Sequence, residues 1–189
     1  MAQTLHQSLE EFYQKHGYGE QGGINNNWIW LKFKYFSLPI PNVKGRRENV
    51  WRHDMLHILL DYDTTWQDEA RVAAWVIGSG GWGRFYVAWI FCLSAFSVGV
   101  IFFPKSTYQA FIRGRNSLSP YLLGIGQEYL FKTDVEILKK EFLFDNNSFS
   151  VNTGEKYNFY GWCIIAWIWF SVPFLTLIFI FTLLRNFLK

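Results

Sequence analysis

Apolar residues near the N-terminus recur at helical spacing. Leu5, Leu9 and Phe12 lie four and three residues apart, which predicts a short amphipathic helix over residues 2–16. Gly17, Gly19, Gly22 and Gly23 break the pattern, and Asn25, Asn26 and Asn27 follow as loop chemistry. In WIWLKFKYFSLPIP, residues 28–41, rings alternate with Lys32 and Lys34. Two readings fit this segment equally. One is an edge strand or covered loop; the other is an interfacial segment with rings at headgroup level and lysines reaching to water. Pro39 and Pro41 close it, and Lys44-Gly45-Arg46-Arg47 forms a basic connector. A helix is predicted from about Asn49 to Leu60. A second starts near Thr65, capped by Thr64 with Gln67 three residues on, and ends at Gly78-Ser79-Gly80-Gly81.

Two uncharged runs dominate the rest. Phe85–Phe103 has nineteen residues without a charge, about 28 Å as a helix and just enough to cross hydrocarbon. A buried helix lining a lipid pocket would look the same, and Ser94, Ser97 and Gly99 suit close helix packing in either case. Pro104 and Lys105 stop it. Tyr129–Phe144 carries helical periodicity, supported by Glu136 and Lys140 at i,i+4. Residues 145–156 read as a polar linker. Tyr157–Leu184 is then an uncharged run of twenty-eight residues closed by Arg185 and Lys189. It is predicted to be transmembrane, and Pro173 makes it either one long kinked helix or a re-entrant hairpin. The expected fold class is all-α: a membrane-associated helical domain with a C-terminal transmembrane segment. Its divisions are an amphipathic and aromatic N-terminal segment (1–47), a helical domain (48–144) and the transmembrane segment (157–188).

Composition fits this picture. Aromatic residues make up 21% of the 189, more than a soluble domain usually needs, whereas lipid-facing surfaces use them readily. A net charge of +3 without a long Lys/Arg run excludes a nucleic-acid partner. Cys92 and Cys163 sit inside apolar stretches and read as small hydrophobes, neither a disulfide framework nor a thiolate metal site. The polar N-terminus lacks an apolar signal core.

The chemistry concentrates in His53-Asp54-Met55-Leu56-His57. Four residues along a helix bring two imidazoles to within about 40° of one another, and Asp54 lies about 100° from His53. Glu69 follows on the next helix, sharing a face with Val72, Ala73 and Val76. A carboxylate on an apolar face costs roughly several kcal/mol unless it meets a cation or donors, and a metal held by the first helix would be such a cation. Asp61-Tyr62-Asp63-Thr64-Thr65 is the turn joining the two helices. Two imidazoles with carboxylates suit zinc, iron or manganese, and Asp54 fits either a direct ligand or a group orienting an imidazole. The helix has no HExxH glutamate, which argues against a zincin protease. GSGGWG, residues 78–83, follows a helix and lacks the Lys-Ser/Thr of a phosphate loop. His6 and His16 read as surface residues; Asp61, Asp63 and Asp68 read as solvated turn and helix-start acids.

HDMLHILLDYDTTWQDE reads as HDxxH, eleven intervening residues, then Glu. It resembles the motif of the Coq-four family of ubiquinone (coenzyme Q) biosynthesis. Family features further along look like Arg71–Ile77, Phe85–Phe103, the connector Arg113-Gly114-Arg115 and a charged last helix over Glu128–Phe144, so the resemblance covers roughly residues 48–144. The short aromatic region before the motif and the hydrophobic tail after residue 157 are additions to the family pattern. The resemblance implies an all-α protein of the bacterial or mitochondrial inner membrane, with a divalent metal, zinc first and iron or manganese as alternatives, on His53, Asp54, His57 and Glu69. It implies action on, or presentation of, a prenylated quinone precursor, with oxidative decarboxylation and hydroxylation of the head group. Implied partners are the lipid membrane, a prenyl-quinone or similar lipid, and other quinone-biosynthesis enzymes.

A non-enzymatic reading stands beside this one: a membrane scaffold or lipid-binding protein whose metal staples two helices. A scaffold metal would be saturated by protein ligands, whereas a reactive one keeps a position open. A di-metal hydroxylase or desaturase would need around six to eight His or carboxylate ligands, and the chain has four histidines.

Overall fold

The structure, a computed structural model, describes residues 3–32, 37–143 and 153–187. Residues 33–36, within the aromatic segment and including Lys34, and residues 144–152, most of the expected polar linker, lie outside the described residues.

Helix α1 (Leu5–His16) begins where Thr4 accepts from the Gln7 amide and the Gln7 side chain returns to the Thr4 amide. Two otherwise open donors are thereby met. It ends at Gly17, φ 66°, in the left-handed conformation that glycine adopts without strain. Its buried face, Leu5, Leu9 and Tyr13, joins the core shared with the later helices.

The aromatic segment is a hairpin. β1 (Trp28–Lys32) pairs antiparallel with β2 (Ser37–Pro41), placing Trp28 opposite Pro41 and Trp30 opposite Pro39. Prolines fit because each strand of a two-stranded sheet is an edge. The expected basic connector is itself a short helix, α2 (Lys44–Arg47).

Helices α3 (Val50–Leu60) and α4 (Trp66–Gly78) form where the periodicity places them. The α4 cap differs by one residue from the expected pair. Thr65, not Thr64, accepts from the Asp68 amide at 3.1 Å, and Gln67 reaches Ser106 instead. Thr65 is the residue with extended backbone, φ −74° and ψ 156°, and so it is the one positioned to cap.

The first apolar run forms α5 (Tyr86–Phe102), and α6 (Pro104–Arg115) follows almost at once. Pro104 ends one helix and opens the next, because at a first helical position its missing N–H costs nothing. The expected connector Arg113-Gly114-Arg115 is the last turn of α6. The single helix expected over Tyr129–Phe144 is two: α7 (Gln127–Lys132) and α8 (Val135–Phe142). Asp134 leaves helical geometry between them to cap α8 through the Glu136 and Ile137 amides. Lys139 rather than Lys140 then meets Glu136, and it also reaches Asp61.

The core centres on α4, which packs against α5 and α6. The α4–α6 crossing is so close that a Cβ on Gly114 would collide with the Trp75 carbonyl, and one on Gly78 with the Phe111 carbonyl. α5 also packs on α9 (Thr153–Phe187), leaving Tyr86, Ile90, Phe91 and Phe102 facing outward. α9 takes in the last residues of the expected linker and continues through Pro173 as one helix, which overturns the hairpin alternative. Its early turns are docked. Phe159 sits among Phe96, Tyr108 and Phe111, Ser97 donates to the Ala166 carbonyl, and the Trp169 indole donates to Ser94. Leu175, Leu177 and Phe181 beyond them are exposed. With a mean hydropathy reaching 2.4 over Thr153–Phe181, α9 is the one helix among the described residues long and apolar enough to cross a membrane.

Candidate metal centre

α3 carries His53 and His57 one turn apart. Asp61, φ 57°, ends that helix in the left-handed region, and the turn to the Thr65 cap reverses the chain. The first turns of α4 then carry Glu69 to the imidazoles. His53 Nε2 is 3.3 Å from Glu69 Oε2, and His57 Nε2 is 3.4 Å from Glu69 Oε1. One ligand atom from each of the three side chains lies within 4.8 Å of the others, so the group could hold a metal ion.

The hydrogen bonds assign the imidazole roles. His57 Nδ1 is 3.0 Å from the Asp63 carbonyl oxygen, which can only accept, so Nδ1 carries the proton and donates. Nε2 is then left with a lone pair that faces a carboxylate oxygen, and this atom is buried without a hydrogen-bond partner. Two lone pairs in contact repel, and only a cation between them, a proton or a metal, reverses the sign. His53 is held from behind: Nδ1 is 3.1 Å from Asp54 Oδ1, and Asp54 is 6% exposed. Carboxylate, imidazole and ligand atom in this order are what fix the ring orientation and raise ligand basicity in metal sites.

Burial opposes the charged form of His53, but Glu69 and then Asp54 outweigh it and push the imidazole up to about 10. Burial likewise opposes the Glu69 carboxylate, and His53 with His57 overcomes it, holding Glu69 well below the usual carboxylate range. The metal-free site therefore keeps a positive charge between its carboxylates in the form of a proton.

Of the four sequence-predicted residues, the fold gathers His53, His57 and Glu69, and sets Asp54 on the opposite edge of the His53 ring. Other residues surround them. Burial, then the Asp54 carboxylate, drive the Tyr13 phenol well up; its hydroxyl is buried without a partner beside that carboxylate. Arg46 donates to Asn42 at 3.1 Å, and the Asn42 amide in turn holds the Gly23 and Asn26 carbonyls. His16, expected at the surface, is instead only 14% exposed. Its ring stacks on Tyr18 and tilts against Phe12, Nδ1 is 3.3 Å from Thr64 Oγ1, and Nε2 is 3.4 Å from Asp63 Oδ1. Burial depresses its pKa. Phe12 stacks on His57 with centroids 5.7 Å apart. Asp63, expected as a solvated turn acid, is exposed, yet its carbonyl orients a ligand ring. Asp61 and Asp68 do act as local acids, paired with Lys139 and Arg71. His6 remains an exposed partner of Glu10. The signal that could have found Tyr13 and His16 was their spacing of four and seven from Leu9, on the apolar face of α1.

A groove lined by Phe12, Lys15, His57, Ile58, Asp61 and Lys139 runs between α1, α3 and α8 and reaches His57. Two imidazoles and a carboxylate, with about a third of the His53 and Glu69 side chains open to solvent (35% and 29%), make a nitrogen and oxygen donor set with access. Compared with known proteins, the chain matches no family model, no curated protein and no solved structure.

Proposed function

We propose that this chain is an inner-membrane protein of ubiquinone-type biosynthesis that holds a divalent metal, zinc first, on His53, His57 and Glu69, and acts on a prenylated quinone precursor or similar lipid. The observation that carries the reading is His57: its Nδ1 is committed to the Asp63 carbonyl while its buried Nε2 faces Glu69 without a proton of its own. The HDxxH-x11-Glu spacing and its resemblance to the Coq-four family supply the substrate class. The apolar helix α9 supports the membrane.

Three protein donors leave a position open in a four-coordinate zinc site, and this favours the reactive reading over the scaffold whose metal only staples helices. When bound, the metal supplies Lewis acidity toward a head-group carboxylate or phenolate. Asp54 and the Asp63 carbonyl hold the two imidazoles in orientation, and Glu69 balances the charge. The solvent-facing edge of His53 and Glu69 is where a head group would approach. Oxidative decarboxylation with hydroxylation requires oxygen or another electron acceptor as co-reactant.

The test is to purify the full chain in detergent and analyse bound metal and co-purifying lipid by mass spectrometry. One divalent metal per chain and a prenyl-type lipid are expected, with the metal lost in the His53→Ala/His57→Ala double variant while helical content persists. Metal content unchanged by the double substitution would remove the site. A metalated protein that cannot complement a quinone-biosynthesis defect would remove the pathway.

A further inference from the structure

Arg52 precedes His53 on α3, and about 100° of helical rotation turns it to another face. Its guanidinium carbon lies 4.6 Å from the Trp51 ring centroid and 5.6 Å from that of Phe85. Among the described residues no carboxylate forms an ion pair with it, and its Nε–H is buried without an acceptor. The turn before α5 connects this group to a second orphan. Phe85 N donates to the Trp82 carbonyl at 3.1 Å, and Tyr121 stacks on Trp82 with centroids 5.0 Å apart and planes 15° apart. The Tyr121 hydroxyl is buried and has no hydrogen-bond partner. Burial keeps this phenol protonated, and Arg52 and Tyr121 lie within each other's electrostatic field. Two buried donors therefore face a space with aromatic walls and no acceptor to serve them. Buried donors are nearly always paired, and the partner that suits an arginine and a phenol together is an oxyanion.

We propose that Arg52 and Tyr121, framed by Trp51, Trp82 and Phe85, form a binding site for the phosphate of an anionic lipid headgroup. The guanidinium would grip two phosphate oxygens through Nε and a terminal nitrogen, in the planar fork that arginine offers and lysine does not. The Tyr121 hydroxyl donates to the phosphate as well. The surroundings select a lipid over a free ion. Tyr86 is 76% exposed, Leu122 and Leu123 are exposed beside the turn, and Leu122 packs against Gly80 and Gly83 within it. α5, which starts there, has no charge along its length. Acyl chains have an apolar surface to lie on where the headgroup is held. The site goes beyond the quinone reading and needs neither the metal nor a membrane-crossing α9.

Native mass spectrometry of the full chain in detergent tests it, with phosphatidylglycerol, phosphatidylcholine and inorganic phosphate as probes. Phosphatidylglycerol is expected to bind at least tenfold more tightly than phosphatidylcholine. Arg52→Gln should erase that preference, and Tyr121→Phe, which keeps the ring stack, should weaken it several-fold. Arg47→Gln, an exposed basic residue on α2, should leave it intact. The Tyr121→Phe protein also serves if Arg52→Gln fails to fold. Equal binding of the two lipids, or a preference untouched by Tyr121→Phe, would overturn the site. Inorganic phosphate competing at concentrations equal to the lipid would overturn the lipid as its occupant.

Discussion

Glu69 is the residue on which catalysis, stapling and plain solvation differ most. Glu69→Gln preserves shape and removes the charge that balances the two imidazoles. If Glu69 completes a metal site, affinity should fall on the order of 10–100-fold or more, with the fold retained, read by metal titration of the purified protein. Normal metal content and normal complementation in that variant would take the carboxylate out of the site. The His53 proton makes a second prediction. Because its pKa is pushed up to about 10 in the metal-free site, metal must displace a proton throughout the neutral range. Apparent metal affinity should rise about tenfold per pH unit from neutrality toward that value. For the metal-free fold the sign is reversed: stability from His53 is fully present below its ordinary 6.5 and lost as pH rises through about 10. Glu69, with its pKa lowered from 4.5, contributes above that value and loses its contribution on acidification. Thermal melts of chelated protein across this range should decline on the alkaline side, and a flat profile would contradict the proton-bound site.

Elements are held by devices of very different visibility. The Thr65 cap is a local one, and Thr65→Ala should cost about 1 kcal/mol in a denaturation experiment. The α4–α6 crossing depends instead on two residues far apart in the chain. Gly114→Ala would drive a methyl group into the Trp75 carbonyl, and the helices must separate to admit it. Overpacking of this kind costs about 1–3 kcal/mol, so Gly114→Ala should destabilise more than Thr65→Ala although it adds one carbon. A smaller effect would mean that the crossing is looser than it is drawn here. Nothing in the local pattern of IRGRNS marks Gly114 as a contact, which is why it reads as part of a connector. The split between α7 and α8 was hidden for a related reason: Asp134 follows helical periodicity in sequence, but its side chain captures the Glu136 and Ile137 amides and ends the register.

For the whole molecule, the arrangement of α5 and α9 governs how the site meets the membrane. α9 docks through Phe159, Ala166 and Trp169, and its later turns stand clear of the domain. Deleting residues 157–189 should convert the protein from integral to peripheral, extractable by carbonate. A truncated chain that stays integral would mean that α5 crosses as well. Hydrophobic period and spacing alone determined much of this protein. The uncharged run that becomes α9, the helices that become α3 and α4, and the convergence of His53, His57 and Glu69 all follow from repeats of about 3.6 residues and one short turn. Tertiary structure decided what depends on partners distant in the chain. It put Asp54 behind the His53 ring, turned His16 inward against Phe12 and Tyr18, paired β1 with β2, and left Arg52 and Tyr121 facing one turn without an acceptor. Sequence spacing sets which side chains share a face of one element; which atoms they meet depends on how separate elements pack, and no local pattern encodes that.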